Sequence, residues 1–284
     1  LSQIDPVISP IPLNDSQIDA VLASRAVVTV VTGPPGTGKS QVVTALGASA
    51  WVHGQSFLIT STNNAAVDVA STRLQAIDPI LVLRSGNPEH RQRLAQTCGQ
   101  ILQTPGGPGP SKHDRQSVME CYRQLDDLRS KSIERSQLQL DLLSAHVDLE
   151  AASDNILFTG TQPDFSEEPL IRRMARLSRK ERPGWWARRR LRKVTPRVGI
   201  RSTSDPRALH RWAQAWLRMT NLTQRLKKLG PLTSALEVSQ VEASWMNASL
   251  DVLQKCAALA RQNGKSTLRS LADQRTPPRG RPLL

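Results

Sequence analysis

Long apolar runs, paired cysteines and clustered histidines are all missing from this 284-residue chain. No stretch approaches the ~20 apolar residues that a bilayer crossing needs, which excludes a membrane-spanning helix and leaves no membrane among the expected partners. Cys98, Cys121 and Cys256 stand far apart without CxxC spacing. Neither a disulfide scaffold nor a zinc module is therefore expected, whereas a reducing, cytoplasmic setting is. The five histidines are scattered without metal-ligand spacing. No basic-then-apolar leader opens the sequence, and it starts at Leu1 rather than methionine, which suggests a piece of a longer protein. What remains is a chain with 38% hydrophobic residues and a mean hydropathy of -0.37, enough for one large or two modest domains with a real core.

The net charge of +14 is unevenly spread. Between 170 and 201 there are thirteen basic residues and one acid, so that window carries +12 of it. A near-neutral body with one basic segment points to a polyanion partner or to a solvated, mobile arm.

Along the first ~85 residues, β-branched runs alternate with helix-length stretches. Val27–Thr32, Phe57–Ser61 and Ile80–Leu83 read as strands; Lys39–Val52, Ala65–Ile77 and about Pro88–Gln103 read as helices. Such alternation implies right-handed crossovers and a parallel α/β sheet. Pro105–Pro110 can hold neither helix nor strand and marks a boundary. Lys112 to about Ala152 is helical, with a seam at Val118, Tyr122, Leu125, Leu128, Ile133, Leu138, Leu142 and Val147. Asn155–Pro169 reads as loop.

Asp205-Pro206 starts another helix, and Gly230-Pro231 ends it. Its stripe of Leu209, Trp212, Trp216 and Met219 is expected to pack on a following helix that carries Trp245, Val252 and Cys256, and on the 112–152 helix. The tryptophans on these stripes read as core. The expected division is 1–104, a 105–111 linker, a helical stalk over 112–273 with its basic segment 170–201, and a disordered tail 274–284.

Gly33-Pro34-Pro35-Gly36-Thr37-Gly38-Lys39-Ser40 fits GxxxxGK[ST], after a strand-like run and before a helix. Glycines let successive N–H groups turn inward on phosphate oxygens, and the helix start adds unpaired donors. Lys39 is placed to bridge the β- and γ-phosphates, and the Ser40 hydroxyl to ligate Mg²⁺. ATP and Mg²⁺ are the expected ligands.

Upstream lies Leu13-Asn14-Asp15-Ser16-Gln17, and downstream Thr60-Ser61-Thr62-Asn63-Asn64-Ala65. With these two stretches the sequence resembles superfamily-1 helicases, in the branch of RNA-surveillance and replication helicases and their bacterial relatives. The resemblance covers 13–86 and weakens beyond. It implies a RecA-like P-loop domain, here incomplete, with a large helical insertion. It further implies that Gln17 reads the adenine edge and that Ser61, Thr62, Asn63 and Asn64 touch single-stranded DNA or RNA. An amide can offer adenine a donor and an acceptor together. Hydroxyls and amides suit phosphate and sugar contacts.

The family also requires a strand ending in Asp-Glu, and no Asp-Glu occurs in this sequence. The expectation is therefore an ATP-binding front half of a helicase motor, without hydrolysis of its own. A relic phosphate loop on a non-catalytic nucleic-acid-binding or coiled-coil module is the alternative. A third reading, an AAA-type ATPase, is disfavoured by the Gln17 and Asn63-Asn64 motifs. Arg188-Arg189-Arg190, beside Trp185-Trp186, read either as a polynucleotide contact or as a solvated basic loop.

Overall fold

The computed structural model describes residues 5–62, 64–85, 88–154, 156–159, 163–180, 183–201 and 205–273, without the side chains of Asn64, Pro88, Glu89, Arg91 and Gln92. Asn63, the Asn64 side chain and the expected tail 274–284 thus lie outside the described residues. The chain forms two compact units. One comprises Leu1–Arg129 with Thr233–Leu284, the other Ser130–Leu232. These units cut the chain elsewhere than the composition boundaries do.

The first unit holds α1 (Asp15–Ala23), α2 (Lys39–Val52), α3 (Asn64–Ile77), α4 (Pro88–Gln103) and the start of α5 (Lys112–Ser153). The second unit holds the rest of α5, then α6 (Glu168–Leu177), α7 (Trp185–Val194) and α8 (Pro206–Lys228). The first unit then closes with α9 (Ala235–Asn263) and α10 (Lys265–Ala272). Helix limits follow local signals. Asn14 and Ser234 form capping boxes with Gln17 and Glu237, Asp205 caps α8 ahead of Pro206, and Gly230 leaves it at φ +77°.

In the first unit α2 packs on α1, α3 and α9, and α10 lies on α4. The core gathers Val7, Ile8, Ile18, Ala45, Leu74, Ile80, Trp245 and Leu253. The Trp245 Nε1–H donates to the Val7 carbonyl at 3.0 Å, and the Ser49 hydroxyl accepts from the Ile8 N–H at 3.0 Å, so the buried segment before α1 is tied to α9 and α2. Arg261 and Asp78, both nearly buried, form an ion pair that joins α9 to the turn after α3.

Among the described residues there is no strand, only the isolated antiparallel bridge Phe158–Ile200. Val27–Thr32 and Phe57–Ser61 are irregular, and Pro79–Leu81 is a 3₁₀ turn where the third strand was expected to begin. The reason is pairing. A strand exists only through a neighbour's ladder, and the backbone groups of Val27–Val31 and Phe57–Thr60 have no partner among the described residues. Their side chains stay outside: Val28, Val30 and Leu58 are 78, 81 and 84% exposed.

In the second unit Ile171 and Met174 of α6, Leu191 and Val194 of α7, and Leu209, Trp212 and Trp216 of α8 form one core. Three expectations change here. The basic segment is not a mobile arm but two amphipathic helices with buried apolar faces. The 155–169 loop contains the bridge and a 3₁₀ turn, Phe165–Glu167. The stripes of α8 and α9 serve the cores of different units rather than one hairpin. The seam of α5 also differs. Val118, Tyr122, Leu125 and Leu138 are buried, whereas Ile133 and Val147 face solvent and Ala145 and Leu149 take the inner positions. A 3.6-residue helix drifts past a fixed spacing over such a length.

Candidate nucleotide site

The loop Gly33–Ser40 follows the irregular run Val27–Thr32 and turns into α2. Gly36 and Gly38 sit at φ +85° and +79°, the left-handed region that side chains disfavour. Gly38 is the N-cap of α2, and no side chain caps that helix start. Among the described residues the N–H groups of Gly36, Gly38, Lys39 and Ser40 are unpartnered, as is the Ser40 hydroxyl. Four free donors at an uncapped helix start are what a phosphate group can fill. Lys39 Nζ donates to the carbonyls of Gly33 at 2.6 Å and Pro34 at 2.9 Å, and the Thr37 hydroxyl donates to Pro34 at 2.9 Å. The loop is thus folded around its own ammonium. A triphosphate would take that charge by exchange with two carbonyls. Ser40 offers an oxygen to Mg²⁺, but no metal-binding group of three His, Cys, Asp or Glu exists among the described residues.

Gln17 arrives at this loop from α1. It is the N3 residue of the Asn14 capping box and only 7% exposed. Its Oε1 accepts from the Asn14 N–H at 2.9 Å, and its Nε2 donates to the Thr37 carbonyl at 3.1 Å and to Gln41 Oε1 at 2.9 Å. Both amide N–H bonds are therefore already given to protein acceptors. Reasoning from the sequence missed Gln41, although Asn14-x-x-Gln17 is itself a legible capping signal.

Ser61 and Thr62 are exposed just before α3, and Ser61 also borders a cavity of about 730 Å³ walled by Phe57, Ile59, Leu81 and Leu83. Arg188, Arg189 and Arg190 are exposed on α7 in the second unit and pair with no carboxylate among the described residues. The Arg188 Nε–H donates to the Pro183 carbonyl at 3.0 Å. The Arg189 guanidinium lies 5.5 Å from the centre of the Trp185 ring. Trp185 and Trp186 meet edge to face at 4.8 Å and are 63 and 69% exposed. Thus the structure brings Gln17 to the phosphate loop, while the three arginines belong to the second unit.

A family model described as an AAA domain matches residues 12–183, well over half of the chain. The match supports the superfamily-1 helicase resemblance at family level and does not reach one branch of it. No curated protein and no solved structure matches the chain. Among the described residues no helix is long and apolar enough to cross a membrane.

Proposed function

The chain belongs to the AAA domain family, and from that premise we propose that it is the ATP-binding part of a superfamily-1-type helicase motor that moves on single-stranded DNA or RNA. The observation that carries this reading is the set of N–H donors of Gly36, Gly38, Lys39 and Ser40, unpartnered among the described residues, at the uncapped start of α2. Gly33–Ser40 hold the triphosphate through backbone donors, Lys39 supplies the positive charge, Ser40 supplies one oxygen to Mg²⁺, and Gln17 faces the base. Mg²⁺ supplies charge neutralisation between phosphate oxygens.

The parallel sheet belongs to the same proposal. Val27–Thr32, Phe57–Ser61 and Ile80–Leu83 are chain segments of strand composition, and neighbouring strands would pair the backbones of Val27–Val31 and Phe57–Thr60, which meet no partner among the described residues. Ser61, Thr62, Asn63 and Asn64 are proposed to contact the nucleic-acid backbone, with Arg188–Arg190 adding a second, charge-driven contact. Hydrolysis is not assigned to these residues. The acidic pair that would position water is not in the sequence, and transition-state charge in such enzymes needs more than the loop.

Titration of a fluorescent ATP analogue with Mg²⁺ tests the reading. Wild type should bind saturably and Lys39→Ala should lose at least about tenfold in affinity, the scale of one charge-assisted contact. Equal binding by both proteins would refute the site. ATP turnover stimulated by single-stranded nucleic acid would overturn the non-hydrolysing part of the proposal.

A further inference from the structure

Trp212, Trp216 and Trp245 are 1, 4 and 0% exposed, whereas Trp185 and Trp186, at the start of α7, are 63 and 69% exposed. An indole is the largest apolar body a chain carries, and two of them left in water forgo the burial that the other three obtain. They are not outside for want of an inner face. α7 turns Leu191 and Val194 inward, each 5% exposed, and its outer side carries the indoles. On that side Trp185, Arg189 and Arg192 follow one another at spacings of four and three, and so do Trp186, Arg190 and Lys193. All six are exposed. The two rings meet edge to face, with their planes 78° apart, and the Arg189 guanidinium lies 5.5 Å from the centre of the Trp185 ring. Residues 183–201 hold seven basic residues and no acid.

We propose that Trp185 and Trp186 are a stacking surface for unpaired bases, so that α7 selects single-stranded nucleic acid by its bases and not by charge alone. The inference rests on the reading of Arg188–Arg190 as a polynucleotide contact and deepens it. The matched family region ends at residue 183, just before this helix. Open flat rings set among cations without carboxylate partners fit a ligand that is planar and anionic at once. A single strand is such a ligand: its phosphates meet Arg190, Arg192 and Lys193, while its bases lie on the indoles. A duplex offers the same phosphates but keeps its bases stacked on one another. A lipid surface fits less well. An interfacial helix gives its apolar face to the acyl chains, and here Leu191 and Val194 are already spent on the core of the second unit. Every base has a flat face, so the preference extends to any sequence.

Fluorescence anisotropy on the full chain, without ATP, compares a labelled strand of about twelve thymidines with an abasic strand of the same length and charge. Wild type should favour the strand with bases by at least roughly fivefold, the scale of one stacked base. Trp185→Ala combined with Trp186→Ala should bring that ratio to about one while leaving the affinity and salt slope of the abasic strand unchanged. Phenylalanine at both positions should keep most of the preference. Both indoles are exposed, so the alanine variant should retain the urea midpoint of wild type. Equal binding of the two strands by wild type, or a preference that survives in the alanine variant, would overturn the stacking surface and leave the charge contact standing. No binding of either strand would bring down the polynucleotide reading of α7 together with the inference. Phosphatidylserine vesicles should treat wild type and the alanine variant alike; vesicles that release only the variant would overturn the proposal in favour of lipid.

Discussion

The phosphate loop and the basic face of α6 and α7 are both suited to anions, yet they rely on different physics. In the loop the donors are main-chain groups fixed by two left-handed glycines and an uncapped helix start. On α6 and α7 they are long side chains on helices whose opposite faces, Ile171, Met174, Leu191 and Val194, are buried. The loop depends on conformation, so single atoms matter there. The helices depend on charge density, so salt and the integrity of the supporting core matter more.

The largest effect that could break this contrast lies under the basic face. Trp212 is fully buried and meets Phe158 edge-on at 5.8 Å. Trp212→Ala should destabilise the second unit by about 3–5 kcal/mol, read as a drop in the denaturant midpoint. Polynucleotide binding should fall with it and ATP-analogue binding should persist. Joint loss of both would show that the two regions do not act separately.

Charge removal sharpens the comparison next. Replacing Arg188, Arg189 and Arg190 with alanine should weaken single-strand binding and lower the slope of log affinity against log salt by up to about 2. An unchanged slope would return these residues to ordinary solvated surface, and an effect on the ATP analogue would blur the distinction.

How much of this was legible in the sequence depended on how local each cause is. Helix limits were readable at Asp205-Pro206, at Gly230 and at Lys39, because caps and breakers act over a few residues. Strand pairing is not written locally, because a ladder depends on a neighbour that composition cannot supply; Val27–Val31 has the right residues and meets no partner among the described residues. The seam of α5 failed at Ile133 and Val147, where tertiary packing chose Ala145 and Leu149 instead. At the site, the loop residues were readable from their motif. The spent donors of Gln17 were not, since they depend on Thr37 and Gln41 arriving from elsewhere in the chain.

The smallest predicted effect concerns the frame of the first unit, where α5 meets α9. Asp114 accepts from Lys255 Nζ at 2.9 Å and from the Ser111 N–H at 2.7 Å, and these bonds lower its pKa to about 2, with Lys255 the leading cause. A lowered carboxyl contributes stability above its unfolded pKa of ~4 and loses it as pH falls toward the folded one. Asp114→Asn should therefore flatten the acid limb of the urea-midpoint profile between pH ~4 and about 2. Near neutrality the variant should lie below wild type by the amount that wild type loses along this limb, because the bonds of Asp114 to Lys255 and Ser111 are fully formed there. A steeper acid limb in the variant would contradict this assignment.

The backbone of Val27–Val31, without a partner among the described residues, also bears on the handling of the molecule. An uncharged, β-branched stretch with free amides and carbonyls is a template for another chain's strand. Its neighbours limit that hazard: Arg25 stands just before it, and Pro34-Pro35 follow just after. Charge and proline are the residues that interrupt aggregation-prone windows. The two prolines of this loop thus have a second employment as gatekeepers, placed to keep a sticky segment from growing into a fibril.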